Sequence, residues 1–442
     1  MKTEKTRRGA AMLLFCGWLV YFAAITGRMN YSASMVAIIE ATGATKDAAG
    51  LVASFFFFAY GAGQLVNGLL CKRYNTRYAI LGALAVSAAC NIGLPFCSGV
   101  ETMKFVWMVN GMAQSVLWSS LIKIQSEYLT EKELDLCVVL MGTTTVCGTF
   151  LCYGFSALFV ALGDWRITFY VASGMIAVAA AAWFFGVGYT ERKLVKTEQT
   201  QEQRTQSKDK KTRRLVWICI GAVVVFAVVN GFIKDSLNTW VPTLLKETYS
   251  LETYFSIILT LVLPVISFFG VFGARLIRRR LPNDIFICGL FYTIGAGALA
   301  LLLWLYTRNL AVTVILFGLI SCLMSGINSC ITSAVPFAMR MLGPSGLFAG
   351  IIDTACYVGS TLASYLTGYV ADNSGWNAVI VMLLACSAVA AVAALVFSRY
   401  WKKRMLPLVF APHNNNIRES AETPIAPEEN DAISDDINKE EA

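Results

Sequence analysis

One side chain near the start of the chain does not belong in oil. Arg28 lies in FAAITGRMNYSAS (residues 22–34), inside an apolar run long enough to cross a bilayer as a helix. A guanidinium is permanently charged, and its planar fork matches a carboxylate or phosphate through paired N–H donors. At the bilayer centre an Arg costs about 2.5–3.5 kcal/mol on insertion scales, so it faces protein or water rather than lipid. A second cation, Lys234, stands in another apolar run, VVNGFIKDSLN (residues 228–238). Two such cations facing one chamber would hold an anion. Plainer uses stay open at this point: Arg28 against backbone carbonyls, and Lys234 paired with its neighbour Asp235. Asp235 and Asp353 are acids inside apolar runs, where such residues mark ion or proton paths. They give a second chemistry, proton coupling.

Other chemistries lack their residues. The only histidine is His413, in a polar tail, which argues against histidine catalysis or a histidine proton relay in the membrane. The 13 cysteines form no CxxC pair or Cys/His cluster that would indicate metal or redox work. There is no nucleophile constellation and no paired acid motif, so an enzyme is not expected, and no cofactor is expected. The net charge of +8 is accounted for by short basic loops, leaving nothing that calls for a nucleic-acid partner.

The elements that must carry these residues follow from composition. The chain of 442 residues is 57% hydrophobic and 14% charged, with mean hydropathy +0.60. A soluble chain carries about 25% charge. The apolar residues fall into runs that read as twelve spans between residues 10 and 398, helical because backbone in lipid must bond to itself. Alternate loops are rich in Lys and Arg: MKTEKTRR, CKRYNTR, the central linker, RLIRRRLPND, MRMLGPSG and SRYWKKR. The others hold single cations such as Lys46, Lys104 and Arg308. The positive-inside rule then places both termini in the cytoplasm, in a cytoplasmic (inner) membrane.

The spans divide six and six. Residues 1–188 read as a first six-helix bundle, 189–213 as a polar cytoplasmic linker, 214–404 as a second bundle, and 405–442 as a disordered acidic tail. Three matches relate the halves at nearly one offset. GLLCKRYNTR and GARLIRRRLP begin at Gly68 and Gly273, Arg28 corresponds to Lys234, and GDWR (163–166) corresponds to SGWN (374–377). The fold expected is an all-α polytopic membrane protein. Its twelve transmembrane helices form two pseudo-symmetric six-helix bundles around a central cavity, with the site between the halves near mid-membrane.

On these residues the chain resembles the major facilitator superfamily, and within it the organophosphate:phosphate antiporters that carry glycerol 3-phosphate or hexose phosphates. The motifs that carry the resemblance are Arg28-x-Asn30, NGMAQSVLW (110–118), Trp240-x-Pro242-x-x-Leu245-Lys246-Glu247, and Gly368-Tyr369-x-x-Asp372-x-x-Gly375-Trp376. The resemblance covers about residues 18–398 and implies that cations on spans one and seven grip a phosphate: Arg28, and Lys234 in place of a second arginine. It implies aromatic hydroxyls at the site, Tyr21, Tyr60 and Tyr357. A basic position on span two falls on Gln64, a site histidine falls on Thr145, and a lysine after the first arginine is replaced by Met29. The pocket is therefore less cationic than the family pattern.

The expected function is a secondary carrier of a small organic anion, a phosphate ester, by alternating access, with exchange for phosphate as one coupling mode. Two alternatives stand beside it. One is proton-coupled symport of an organic acid or sugar derivative, with Asp235 or Asp353 carrying the proton. The other is a transporter-shaped membrane sensor. The expected surroundings are lipid and an anionic solute, and the expected working unit is a monomer.

Overall fold

The computed structural model describes residues 4–70, 73–193, 210–339 and 345–408. Among these, every regular element is helical, as apolar runs without water require. The first half comprises α1 (Glu4–Thr42), α2 (Lys46–Leu70), α3 (Thr76–Gly93), α4 (Val100–Tyr128), α5 (Glu131–Ala161) and α6 (Arg166–Lys193). The second half begins with α7 (Lys210–Tyr249) and α8, built of Thr253–Thr260 and Val262–Arg280. It continues with α9 (Asp284–Leu305) and α10 (Leu310–Ser329), which runs on through a π turn at Cys330–Ala334. A long helical segment, Ser345–Arg404, is broken at Gly375 into α11 (345–374) and α12 (376–404).

Among the described residues ten segments are long and apolar enough to span a membrane. Dividing the last of them at Gly375 and adding α4 gives the twelve spans expected. The hydropathy of α4 is lowered by Asn110, Gln114, Ser115, Ser120 and Gln125, all buried against protein rather than lipid.

Prolines set the irregularities. Pro264 has no N–H to give the Thr260 carbonyl, and α8 breaks at Leu261. Pro336 likewise cannot serve Thr332, and the turn before it is π.

The duplication reappears in the packing. α1 lies on α5 and α6, α2 on α4, and α3 on α6. In the second half α7 meets α11 through Gly231 and Gly359 and meets α12 through Phe226 and Phe397. There α8 meets α10 and α9 meets α12. Between the halves, α2 packs on α11 and α5 on α8, again a matched pair. The GDWR and SGWN turns also correspond: Gly163 and Gly375 take φ of 92° and 77°, a left-handed backbone that favours glycine.

Helix ends run past the apolar runs. α6 continues to Lys193 and α7 begins at Lys210, so the helices take residues from both ends of the expected 189–213 linker. The segment 194–209 lies outside the described residues, as does the tail from 409. α7 extends well beyond the apolar run ending near 235, and its turns from Ser236 to Leu245 are largely buried, polar residues included.

Candidate functional site

α1 is held at Gly27–Asn30 by a buried amide network. The Gly27 carbonyl accepts from Asn91 Nδ2 and Asn110 Nδ2, both at 3.1 Å. Asn30 Nδ2 donates to Asn91 Oδ1 at 2.6 Å. Ser87 Oγ donates to Asn110 Oδ1 at 2.7 Å and accepts from Gln114 Nε2 at 3.0 Å. These five polar side chains are almost wholly buried. They fix the height and rotation of α1 on both sides of Arg28. Sequence reasoning reached Asn30, Asn110 and Gln114 only inside the family motifs and missed Ser87 and Asn91. A signal was present: Ser87 and Asn91, and Asn110 and Gln114, are polar pairs four apart in apolar spans, and so share a helix face.

The Arg28 guanidinium lies 5.3 Å from the Tyr60 ring centre and 5.7 Å from that of Tyr21. Cation–π contacts in a desolvated place are worth up to ~2 kcal/mol. Tyr60 stacks near Tyr357, with ring centres 4.7 Å apart, and its hydroxyl accepts from Gln64 Nε2 at 3.2 Å. Arg28 Nε and Thr354 Oγ1 are buried without a hydrogen-bond partner. Arg28, Tyr21, Tyr60 and Gln64 come from the first half, and Tyr357 comes from α11 in the second.

Asp353 lies one turn before Tyr357, beside Thr354, whose carbonyl faces Gly61 of α2, and the charges acting on it are those of Lys234 and Arg28. One carboxylate therefore senses both cations. Among the described residues no carboxylate comes within 4.0 Å of either cation, so neither charge is closed off in an ion pair. In particular Lys234 does not pair with Asp235. That acid is turned toward α11, where it accepts from Ser360 Oγ and, at 3.0 Å, from Asn238 Nδ2. The structure thus brings Arg28, Tyr21, Tyr60, Gln64, Lys234, Asp353 and Tyr357 together and sets Asp235 apart in a helix–helix contact. Among the described residues no three His, Cys, Asp or Glu side chains converge as a metal site needs.

The end of the molecule away from the basic loops is shut, and the motifs of the second half do the shutting. Trp240 Nε1 donates to the Ser364 carbonyl at 3.1 Å. Pro242 cannot donate to the Asn238 carbonyl one turn back, which leaves that oxygen for Tyr153 Oη of the first half at 2.6 Å. Lys46 reaches Glu247 at 3.1 Å and Asp372 at 3.2 Å, and Lys246 pairs with Glu40. Trp376 Nε1 donates to Glu247 Oε2 at 2.8 Å. α2 and α11 touch backbone to backbone: a Cβ on Gly50 would lie 2.1 Å from the Ser364 carbonyl oxygen, and one on Gly368 would lie 2.6 Å from that of Lys46.

Comparison with known proteins follows the same lines. The profile of the Major Facilitator Superfamily matches residues 17–343. The chain is 21% identical to a probable hexose phosphate transport protein of Chlamydia muridarum, covering 88% of this chain and 89% of that one. It is 23% identical to the voltage-gated purine nucleotide uniporter SLC17A9 of Mus musculus (90% of each). It is 24% identical to the glycerol-3-phosphate transporter of Bacillus subtilis (87% and 89%). Among solved structures, a bacterial homologue of the human lysosomal transporter Spinster, inward-facing and unoccupied, superposes with a TM-score of 0.75. It is 12% identical and covers 91% of this chain and 99% of its own, a likeness of fold alone.

Proposed function

The chain belongs to the Major Facilitator Superfamily, and from that premise we propose that it carries an organic phosphate ester across the cytoplasmic membrane by alternating access. It is a multi-pass membrane transporter, not an enzyme, and its relatives include proteins named for hexose phosphate and glycerol-3-phosphate transport. The observation that carries the proposal is the Arg28 guanidinium, its Nε buried without a partner, beside Tyr21 and Tyr60 of the first half where Tyr60 meets Tyr357 of the second. Cations from opposite halves, with no carboxylate closing on either, leave charge for a solute anion. Three relatives named for phosphorylated solutes support the same class. The fork of Arg28 supplies paired donors to a phosphate, Lys234 supplies a point charge, and Tyr21, Tyr60 and Tyr357 supply aromatic walls and hydroxyls.

The asymmetry of basic loops supports an orientation with both termini in the cytoplasm. The shut end then faces outward, and the conformer is open to the cytoplasm or occluded. The solute path lies within one chain, so the working unit is the monomer.

The test is uptake by the purified full chain in proteoliposomes, against glycerol 3-phosphate, glucose 6-phosphate, AMP, inorganic phosphate and acetate. A phosphate ester is taken up by the wild type, and Arg28→Ala abolishes both uptake and binding. Intact uptake in that variant would remove Arg28 from the site. Uptake of acetate alone would replace phosphate by carboxylate.

A further inference from the structure

We propose that Asp353 is a resident counter-anion: it offsets the charges of Arg28 and Lys234 when no solute is bound, so the empty carrier reorients and transport proceeds without a returning anion. The inference rests on the anion-carrier reading above and adds its coupling mode.

The geometry places Asp353 on the seam between the halves, one turn from Tyr357, which meets Tyr60 beside Arg28. α2 and α11 run antiparallel in a continuous register. Gly368 abuts the Lys46 carbonyl, Gly50 abuts Ser364, Ser54 Oγ donates to the Thr361 carbonyl at 2.7 Å, and Gly61 abuts Tyr357. One further turn along this register brings Gln64 to the level of Asp353. The carboxylate belongs to the second half, while Gln64 and Arg28 belong to the first. Its attraction to them acts across the interface along which the halves must move. Lys234, on its own half, is its other charged neighbour. The remaining acid of the region, Asp235, is occupied by Ser360 and Asn238 and does not serve this purpose.

Two cations contributed by opposite halves repel as the halves close on an empty site. A carrier with nothing to offset them returns only when loaded and is restricted to exchange. A fixed carboxylate among the cations removes that restriction. It also opposes an incoming anion, so it weakens binding. One residue thus carries two effects of opposite sign, and a folding defect cannot mimic the pair.

The experiment compares wild type, Asp353→Asn and Asp353→Glu in proteoliposomes loaded either with buffer alone or with the same phosphate ester as outside. The wild type takes up ester into anion-free vesicles at a rate near that into loaded ones. Asp353→Asn binds the ester more tightly and retains exchange, but its uptake into anion-free vesicles falls about tenfold or more. That is the scale for removing a unit charge that acts on buried cations in an effective dielectric of ~20. Asp353→Glu keeps the charge and retains net uptake, whether or not the Asn variant folds well. Wild-type uptake that requires internal anion overturns the proposal. So does an Asn variant with unchanged affinity and an unchanged ratio of loaded to unloaded rates. If the wild type moves none of the esters and no inorganic phosphate, the anion-carrier reading itself has failed, an outcome distinct from either of these.

Discussion

At the scale of single residues, the question is what a fork does that a point charge does not. Arg28 has its Nε buried and unpartnered, and its guanidinium is walled by Tyr21 and Tyr60. Lysine keeps the charge but loses the paired donors and the planar contact with the rings. A charged hydrogen bond contributes roughly 1.5–3 kcal/mol, so Arg28→Lys should lower ester affinity about tenfold to a hundredfold while leaving the protein folded. Equilibrium binding of labelled ester to detergent-purified protein reads this directly. Unchanged affinity would mean that Arg28 acts as charge alone. Asn91 tests the positioning network. Its amide serves Gly27 and Ser87 and accepts from Asn30, all inside the protein. Asn91→Ala leaves the buried Asn30 amide without its acceptor, at about 1–3 kcal/mol, and removes one of the two side-chain donors to Gly27. Thermal unfolding should show a lower midpoint, and ester binding should weaken because α1 is no longer held on both sides of Arg28.

At the scale of elements, proline and glycine decide how the halves meet. Pro242 frees the Asn238 carbonyl, and Tyr153 fills it from the opposite half. Tyr153→Phe removes one buried hydrogen bond, worth about 1 kcal/mol, and should shift the population away from the outward-closed form about fivefold. Gly50 is stricter. A Cβ there would sit 2.1 Å from a backbone oxygen, which cannot swing aside as a side-chain tip can. Forced overpacking costs about 1–3 kcal/mol, so Gly50→Ala should slow transport at least severalfold and raise the reactivity of a cysteine introduced at Ser54 toward an external thiol reagent. Wild-type transport by this variant would show that α2 and α11 do not need to touch there.

At the scale of the whole molecule, the outer mouth is a set of reciprocal cross-half pairs. Lys46 of the first half meets Glu247 and Asp372 of the second, and Lys246 of the second meets Glu40 of the first. These side chains are partly exposed, so each pair is worth only about 0.2–1 kcal/mol and is weakened by salt. Lys46→Gln should therefore tilt the population toward outward opening by about two- to fivefold rather than unlock it outright. Spin-label distances between the outer ends of α2 and α11 would record more of the longer separation, and high salt should reduce the difference from wild type. A distance distribution identical in both proteins would leave closure to backbone packing alone.

Composition and periodicity determined that this chain is a bundle of twelve helices in lipid, because an apolar run without water has one way to satisfy its backbone. The same residues marked the two halves and picked out Arg28 and Lys234, since a charge in oil is conspicuous by its cost. The tertiary structure alone decided which polar residues belong together. Asp235 and Asp353 look alike in sequence, yet one is bound into a helix contact and the other stands among the cations. Ser87, Asn91 and Asn110 are ordinary span residues until three helices bring the two amides to one carbonyl and the Ser87 hydroxyl to Asn110. Only the fold turned the Trp240–Glu247 and Gly368–Trp376 motifs into one side of a closure against Glu40, Lys46 and Gly50 of the first half. Hydrogen bonds and ion pairs act over a few ångströms, and no spacing along the chain reports which helix face will stand within that range of another.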